Sequence, residues 1–283
     1  MIQQRATPLL QAQGIEREEV PLSATGAGFR TSPPLFGLGL VEAVPAATIL
    51  ANEDPEDSDG DGISGRANRF LDGRLGRFGR KAFLGNLFDF TADAYLAEQS
   101  ITSPVLLSEE TINGQPIPPG TDPAPDPEIP LSDVEAVTDF VRFLAPPARR
   151  TARDAAEAAA VFQGEQLFRQ IGCARCHIPS MRTGPSVIPA LSNKTVFLYS
   201  DLLLHDMGAD LADICLGSAS PAEFRTEMLM GLRFRNHFLH DRRVFTVRES
   251  IELHGGEASA SRLVFEGLSE VDQAALLSFL DTL

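Results

Sequence analysis

The sequence has no tryptophan, two tyrosines and only three cysteines, Cys173, Cys176 and Cys215. So few thiols cannot build a disulfide scaffold. Positive charge is scarce too: 24 Lys and Arg stand against 39 Asp and Glu, a formal net charge of −15. No basic stripe of the kind that grips phosphate backbones or anionic lipid is present, which argues against nucleic acid as a partner. Long apolar runs are also missing. Nothing approaches the roughly 18 to 20 apolar residues of a membrane span, and the opening Met1-Ile2-Gln3-Gln4-Arg5-Ala6 lacks the apolar core of a signal peptide. What is present, 283 residues of which 43% are hydrophobic, is enough for one large or two ordinary packed domains.

Two short sequences recur and organise the chain. Phe29-Arg-Thr-Ser-Pro-Pro-Leu-Phe-Gly-Leu38 is echoed, one residue shorter, by Phe224-Arg-Thr-Glu-Met-Leu-Met-Gly-Leu232. Leu131-Ser-Asp-Val-Glu135 is echoed by Leu268-Ser-Glu-Val-Asp272. Each of the latter opens an apolar helix, with a Ser followed three residues later by an acid, the spacing of an N-terminal capping box. Two diverged copies of one helical unit is the economical reading. The paired echoes are 102 residues apart in the first copy and 44 in the second. The excess holds an acidic loop (54–65), a basic stretch (66–81), an expected helix from Ala82 to about Gln99, and a span from Pro104 to Pro130 with eight prolines. So much proline excludes helix and central strand and predicts an extended surface loop. The domain boundary is expected near Arg149, giving domains 1–149 and 150–283.

Gly172-Cys-Ala-Arg-Cys-His-Ile-Pro179 carries the chemistry. Covalent haem attachment needs two thiols to add across two vinyl groups and an imidazole to reach the iron from the same side. Cys173, Cys176 and His177 supply these on one turn of backbone. In the preceding helix, Val161, Phe168 and Ile171 share a face, and Gly164 stands four residues before Phe168, where a bare backbone admits a crossing helix, expected at Leu276 to Leu280. Two other readings compete. Zinc would need two more ligands, from Cys215 and a histidine, and a thioredoxin-like dithiol would want a βαβ context that is absent. Cys215 otherwise reads as a small buried hydrophobe.

A sixth iron ligand must come from the opposite face. Candidates are His205, Met207, His237, His240 and His254; the first choice is His254, which ends an expected helix (Val247 to His254) and precedes two glycines that would let a haem come close. Met207 is second. Haem propionates favour cations, so Arg225, Arg233 and Arg235 are candidate partners.

The acidic loop places Asp57, Asp59 and Asp61 at positions 1, 3 and 5, Gly62 at 6, the Ile63 carbonyl at 7 and Asn68 at 12. That spacing can wrap oxygen around calcium. Position 12 is Asn rather than Glu and no EF-hand helix pair flanks the loop; a solvated turn is the alternative.

Taken together, the chain resembles the bacterial di-haem oxidoreductases of the peroxidase and thiol oxidoreductase group, relatives of the di-haem cytochrome c peroxidases. The likeness is carried by Arg30-Thr-Ser-Pro-Pro-Leu-Phe-Gly-Leu-Gly-Leu40, Asp59-Gly-Asp-Gly-Ile-Ser-Gly-Arg66, Gly76-Arg-Phe-Gly79, Gly172 to Pro179, Tyr199-Ser-Asp-Leu-Leu-Leu-His-Asp-Met-Gly208 and His237-Phe-Leu-His-Asp241. The resemblance implies two c-type haem domains in the bacterial periplasm, exchanging electrons with a periplasmic donor or acceptor protein, one haem reducing peroxide. It also aligns His254 with a Met ligand of those relatives. The family's first Cys-x-x-Cys-His is not in this sequence. In the second copy Cys173 precedes Phe224 by 51 residues, so its counterpart would fall about 20 residues before Met1, and a truncated chain is expected. With no Trp, no indole can relay electrons between haems.

The expectation is a mostly α protein of two cytochrome c-like helical domains, the first with a large loop-rich insertion, the second holding one covalent haem c. Calcium is a candidate second cofactor. The competing class is a non-catalytic, calcium-stabilised binding or assembly module with a structural haem or zinc site.

Overall fold

The computed structural model describes residues 2, 4–109 and 111–283. Helix dominates: α1 (Pro8–Gln11), α2 (Leu38–Glu42), α3 (Ala46–Leu50), α4 (Leu87–Gln99), α5 (Leu131–Phe143), α6 (Ala155–Gln170), α7 (Cys173–Cys176), α8 (Val247–Glu252), α9 (Ser259–Glu266) and α10 (Glu270–Leu280). Among the described residues, strand is confined to two antiparallel pairs, β1 (Met181–Arg182) with β2 (Thr195–Val196), and β3 (Leu204–Asp206) with β4 (Glu223–Arg225). No helix among the described residues is long and apolar enough to cross a membrane. Compactness groups the chain into two units, one of residues 1–27 and 86–141, the other of residues 28–85 and 142–283.

In the first unit, α4 begins at Leu87 rather than at Ala82. Ala82 has a left-handed φ of 47° and closes a turn in which Phe78 bridges Leu84, while the Asn86 side chain accepts the Asp89 N–H and caps the helix. The stretch from Pro104 to Pro130 is irregular as expected, yet not wholly superficial, since Ile112 and Thr121 are buried. In α5, Val134, Thr138 and Val141 are buried at helical spacing. Ser132 is already inside that helix, because the Pro130 carbonyl accepts the Asp133 N–H and starts the turn early.

The second unit is built on the crossing of α6 and α10. A Cβ on Gly164 would lie 2.0 Å from the Ala275 carbonyl oxygen, so glycine alone allows this approach. Around the crossing, Phe168, Tyr199 and Phe279 meet edge to face with ring centroids 5.3 to 6.0 Å apart, and Ile171, Phe265, Leu276 and Leu280 complete the core. The ends of these helices are fixed by side chains: Asp154 accepts from Glu157 N at α6, Ser269 from Asp272 N at α10, and Thr246 with Glu249 forms a full capping box at α8.

Candidate metal centre

The α6 helix delivers the Cys-x-x-Cys-His segment. It ends at Ile171; Gly172 turns the chain with φ 95°, and Cys173–Cys176 then form the single turn α7 with His177 at its end. The segment is tied down along its length. His177 N–H bonds to Cys173 O, and Asp201 N–H donates to Cys176 O at 2.8 Å. Arg175 pairs with Asp61 at 3.1 Å.

His177 Nδ1 lies 2.9 Å from the Tyr199 carbonyl oxygen. A carbonyl only accepts, so Nδ1 carries the proton and Nε2 keeps its lone pair. His254 follows the end of α8 and has the same arrangement, Nδ1 2.7 Å from Ser250 O. Desolvation pulls the pKa of His177 down to about 4 and that of His254 below its ordinary value, so both rings are neutral at pH 7. Both line one cavity together with Cys173, Cys176 and Met207, walled by apolar groups including Phe168, Leu232 and Phe238. Burial raises the Cys173 thiol to about 12 and the Cys176 thiol above its usual value, so with no bound group both stay protonated at pH 7.

Among the described residues, three buried polar atoms have no hydrogen-bond partner: Arg225 Nη1, Thr226 Oγ1 and Arg262 Nε. All three residues line this cavity. Buried polar groups are normally satisfied, so the donor set fits a large apolar group that carries anionic oxygen, as haem does.

The other candidates fall in different places. His205 is held between two carboxylates, Nε2 2.7 Å from Asp201 and Nδ1 2.7 Å from Glu257, with Cys176 Sγ 3.7 Å from Nδ1. Desolvation opposes protonation of His205, yet the hydrogen bonds to Asp201, Cys176 and Glu257 raise its pKa to about 12. Doubly protonated, it has no lone pair for iron or zinc, although Cys176, Asp201 and His205 place donor atoms within 4.8 Å of one another. His240 lines the cavity and stacks on Phe224 at 4.4 Å; His237 bonds Asn236. Arg235 lines the cavity, whereas Arg233 turns to the carbonyls of Thr282 and Leu283. Cys215 is exposed, not the buried hydrophobe expected, and takes no part. Gly255 and Gly256 do not make room for a haem: a Cβ on them would meet Met207 O at 2.7 Å and Asp206 O at 2.1 Å, so they admit the neighbouring backbone.

In the acidic loop, oxygens of Asp54, Asp57 and Asp59 lie within 4.8 Å of one another. Asp54 was not legible from the loop spacing. Asp61 is engaged with Arg175 and the Ile63 N–H. Asn68 departs from the expected ligand role. It is fully buried, its amide donates to Lys81 O and Leu216 O, and its Oδ1 already accepts from Arg69 N, Ser218 N and Ser218 Oγ. That oxygen is saturated and cannot serve a cation. Sequence reasoning also missed Arg80, Thr226, Glu227 and Arg262 in the cavity wall.

Two thiols and two neutral imidazoles line one cavity, a donor set that fits haem. A family model described as "Di-haem oxidoreductase, putative peroxidase" matches residues 22–283, and the chain belongs to that family. No curated protein matches it. Solved structures similar to it include two of low identity. Hydrazine synthase of Kuenenia stuttgartiensis is 15% identical with a TM-score of 0.41, covering 100% of this chain and 98% of that one. A MauG-like protein associated with microbial copper homeostasis is 17% identical with a TM-score of 0.43, covering 94% of this chain and 91% of that one.

Proposed function

We propose that this chain holds one haem c, bound through Cys173 and Cys176 with His177 and His254 as axial ligands, and serves as the one-electron carrier of a peroxidase-type di-haem oxidoreductase. The observation that carries the reading is the pair of imidazoles with Nε2 free, facing the same cavity as the two thiols. When bound, the haem supplies a reversible one-electron couple. The protein's part is to hold it. Tyr199 O and Ser250 O fix the imidazole tautomers, the apolar wall excludes water, and Arg225 meets a propionate. Met207 is the second choice for the sixth position, without a comparable fixed donor atom. Peroxide reduction belongs to the family and no residue of this chain is assigned to it.

The repeat supports two cytochrome c-like sequence copies, 1–149 and 150–283, with the haem in the second, while in compactness residues 28–85 group with 142–283. Calcium on Asp57 and Asp59, joined by Asp54, would stiffen the loop whose Asp61 meets Arg175 of the haem motif. The setting is the periplasm, where haem c is attached, and the partner a periplasmic electron donor or acceptor.

The test is production in a host with cytochrome maturation. The expected product keeps one haem through acid-acetone extraction and gives a low-spin spectrum of two imidazoles. His254→Met should preserve the low-spin state and raise the reduction potential, since thioether favours ferrous iron relative to imidazole. A colourless protein sinks the reading; an unchanged spectrum and potential in H254M sinks His254 as ligand.

A further inference from the structure

Glu227 sits among three guanidinium groups. Its Oε2 lies 2.8 Å from Arg80 Nη1 and 3.1 Å from Arg225 Nη2, and its Oε1 lies 3.1 Å from Arg235 Nη1. All four residues line the cavity, as does Thr226. The arginines are also anchored from behind: Arg225 Nε donates to Gly79 O at 3.0 Å, and Arg80 Nη2 to Thr31 O at 3.0 Å. Arg225 is nearly sealed, with 1% of its side chain accessible. Three guanidiniums against one carboxylate leave two positive charges unanswered within the cluster. The nearby Asp201 does not answer them, being spent on His205 and on the Leu203 N–H.

A cluster with excess charge, in which Arg80 and Arg225 are buried and donors at Arg225 Nη1 and Thr226 Oγ1 are unpaired, is costly as a protein-only assembly. Haem carries two carboxylates, the number this cluster is short of. A side chain that merely closed an ion pair would leave no donor spare. Here Glu227 occupies one nitrogen on each guanidinium and leaves Arg225 Nη1 for something else.

Resting on the reading that haem fills this cavity, we propose that Glu227 is a positioning residue: it holds Arg80, Arg225 and Arg235 so that Arg225 Nη1 and Thr226 Oγ1 seat a haem carboxylate, and the cluster's residual positive charge sets how easily the haem is reduced. Charge near a redox centre acts with a definite sign. Removing the Glu227 carboxylate favours the reduced, less positive state; removing the Arg225 guanidinium disfavours it.

The experiment is spectroelectrochemical titration of the haem-loaded protein and of Glu227→Gln, Arg225→Met, Arg225→Lys and Thr226→Val. At a fixed applied potential, E227Q should raise the ratio of reduced to oxidised haem about tenfold and R225M should lower it about tenfold, each equivalent to ~59 mV for one electron. R225K should stay near the parent, and T226V should fall slightly, with unchanged haem content and low-spin spectrum. A structural role alone opens the cavity to water in every variant and moves all potentials the same way. Shifts of one common sign, or none in E227Q and R225M, overturn the proposal. An unsubstituted protein without covalent haem would instead overturn the functional reading beneath it.

Discussion

At the scale of single residues, the structure contains a carboxylate held against its own charge. Glu109 has its pKa raised to about 7, first by desolvation and then by repulsion from Asp122, Glu128 and Asp126. Its ordinary value is 4.5. The folded state therefore binds the proton more tightly than the unfolded chain. The stabilisation is fully present below pH 4.5 and is lost as pH rises through about 7. Glu109→Gln should remove this dependence. Thermal unfolding at pH 4 should find the two proteins alike, and from pH 6 to 8 the variant should be the more stable; a difference that does not grow with pH overturns the assignment.

The residues that could be read from sequence are those whose chemistry demands contiguity. Cys173, Cys176 and His177 share one turn and line one cavity, so spacing alone brings them together. His254 was reachable as a cavity residue because its helix and its two glycines are local features, even though those glycines serve backbone packing against residues 206–208. Arg80, Thr226, Glu227 and Arg262 come from three separated stretches and form no pattern until the chain folds. Asn68 shows the converse. Its place at position 12 of an acidic loop suggested a ligand, but three donors from residues 69 and 218 had already taken its oxygen.

At the scale of elements, the α6–α10 crossing was legible because helix contact leaves a periodic trace: a glycine, and four residues on a phenylalanine that packs on the partner helix. Capping residues were less reliable guides. The same Ser-x-x-acid spacing caps α10 at Ser269 but lies inside α5 at Ser132, where Pro130 starts the helix first. The crossing makes a quantitative prediction. Gly164→Ala places a methyl 2.0 Å from the backbone oxygen of Ala275 and 2.8 Å from the Cβ of Phe279, so α6 and α10 must separate. Overpacking of this kind costs about 1–3 kcal/mol. Gly267→Ala is the internal control: its φ is −84° and its nearest neighbours would be 3.5 Å away, ordinary contact, so that variant should be neutral or stabilised by about 0.4–1 kcal/mol. Denaturant unfolding of the two, compared with the parent, checks both, and equal behaviour of G164A and G267A contradicts the crossing.

At the scale of the whole molecule, net charge decides how stability responds to salt. The buried cluster of His205 with Asp201 and Glu257 is shielded from mobile ions and should be little affected. Exposed pairs such as Arg17–Glu19 and Arg74–Asp72 contribute little and weaken further in salt. Against them stands self-repulsion from a charge of −15, concentrated in places such as Asp54, Asp57 and Asp59 and relieved when the chain expands. Every acid in the excess repels many others, whereas each exposed pair involves one partner, so the repulsive sum is the larger. Raising sodium chloride from 10 to 500 mM at pH 7 shortens the Debye length from about 30 Å to about 4 Å, which removes most of that repulsion. The midpoint of thermal unfolding should therefore rise over this range. A midpoint that falls would mean that surface pairs outweigh the global charge, and that the acidity of this chain is arranged in complementary pairs rather than borne as excess.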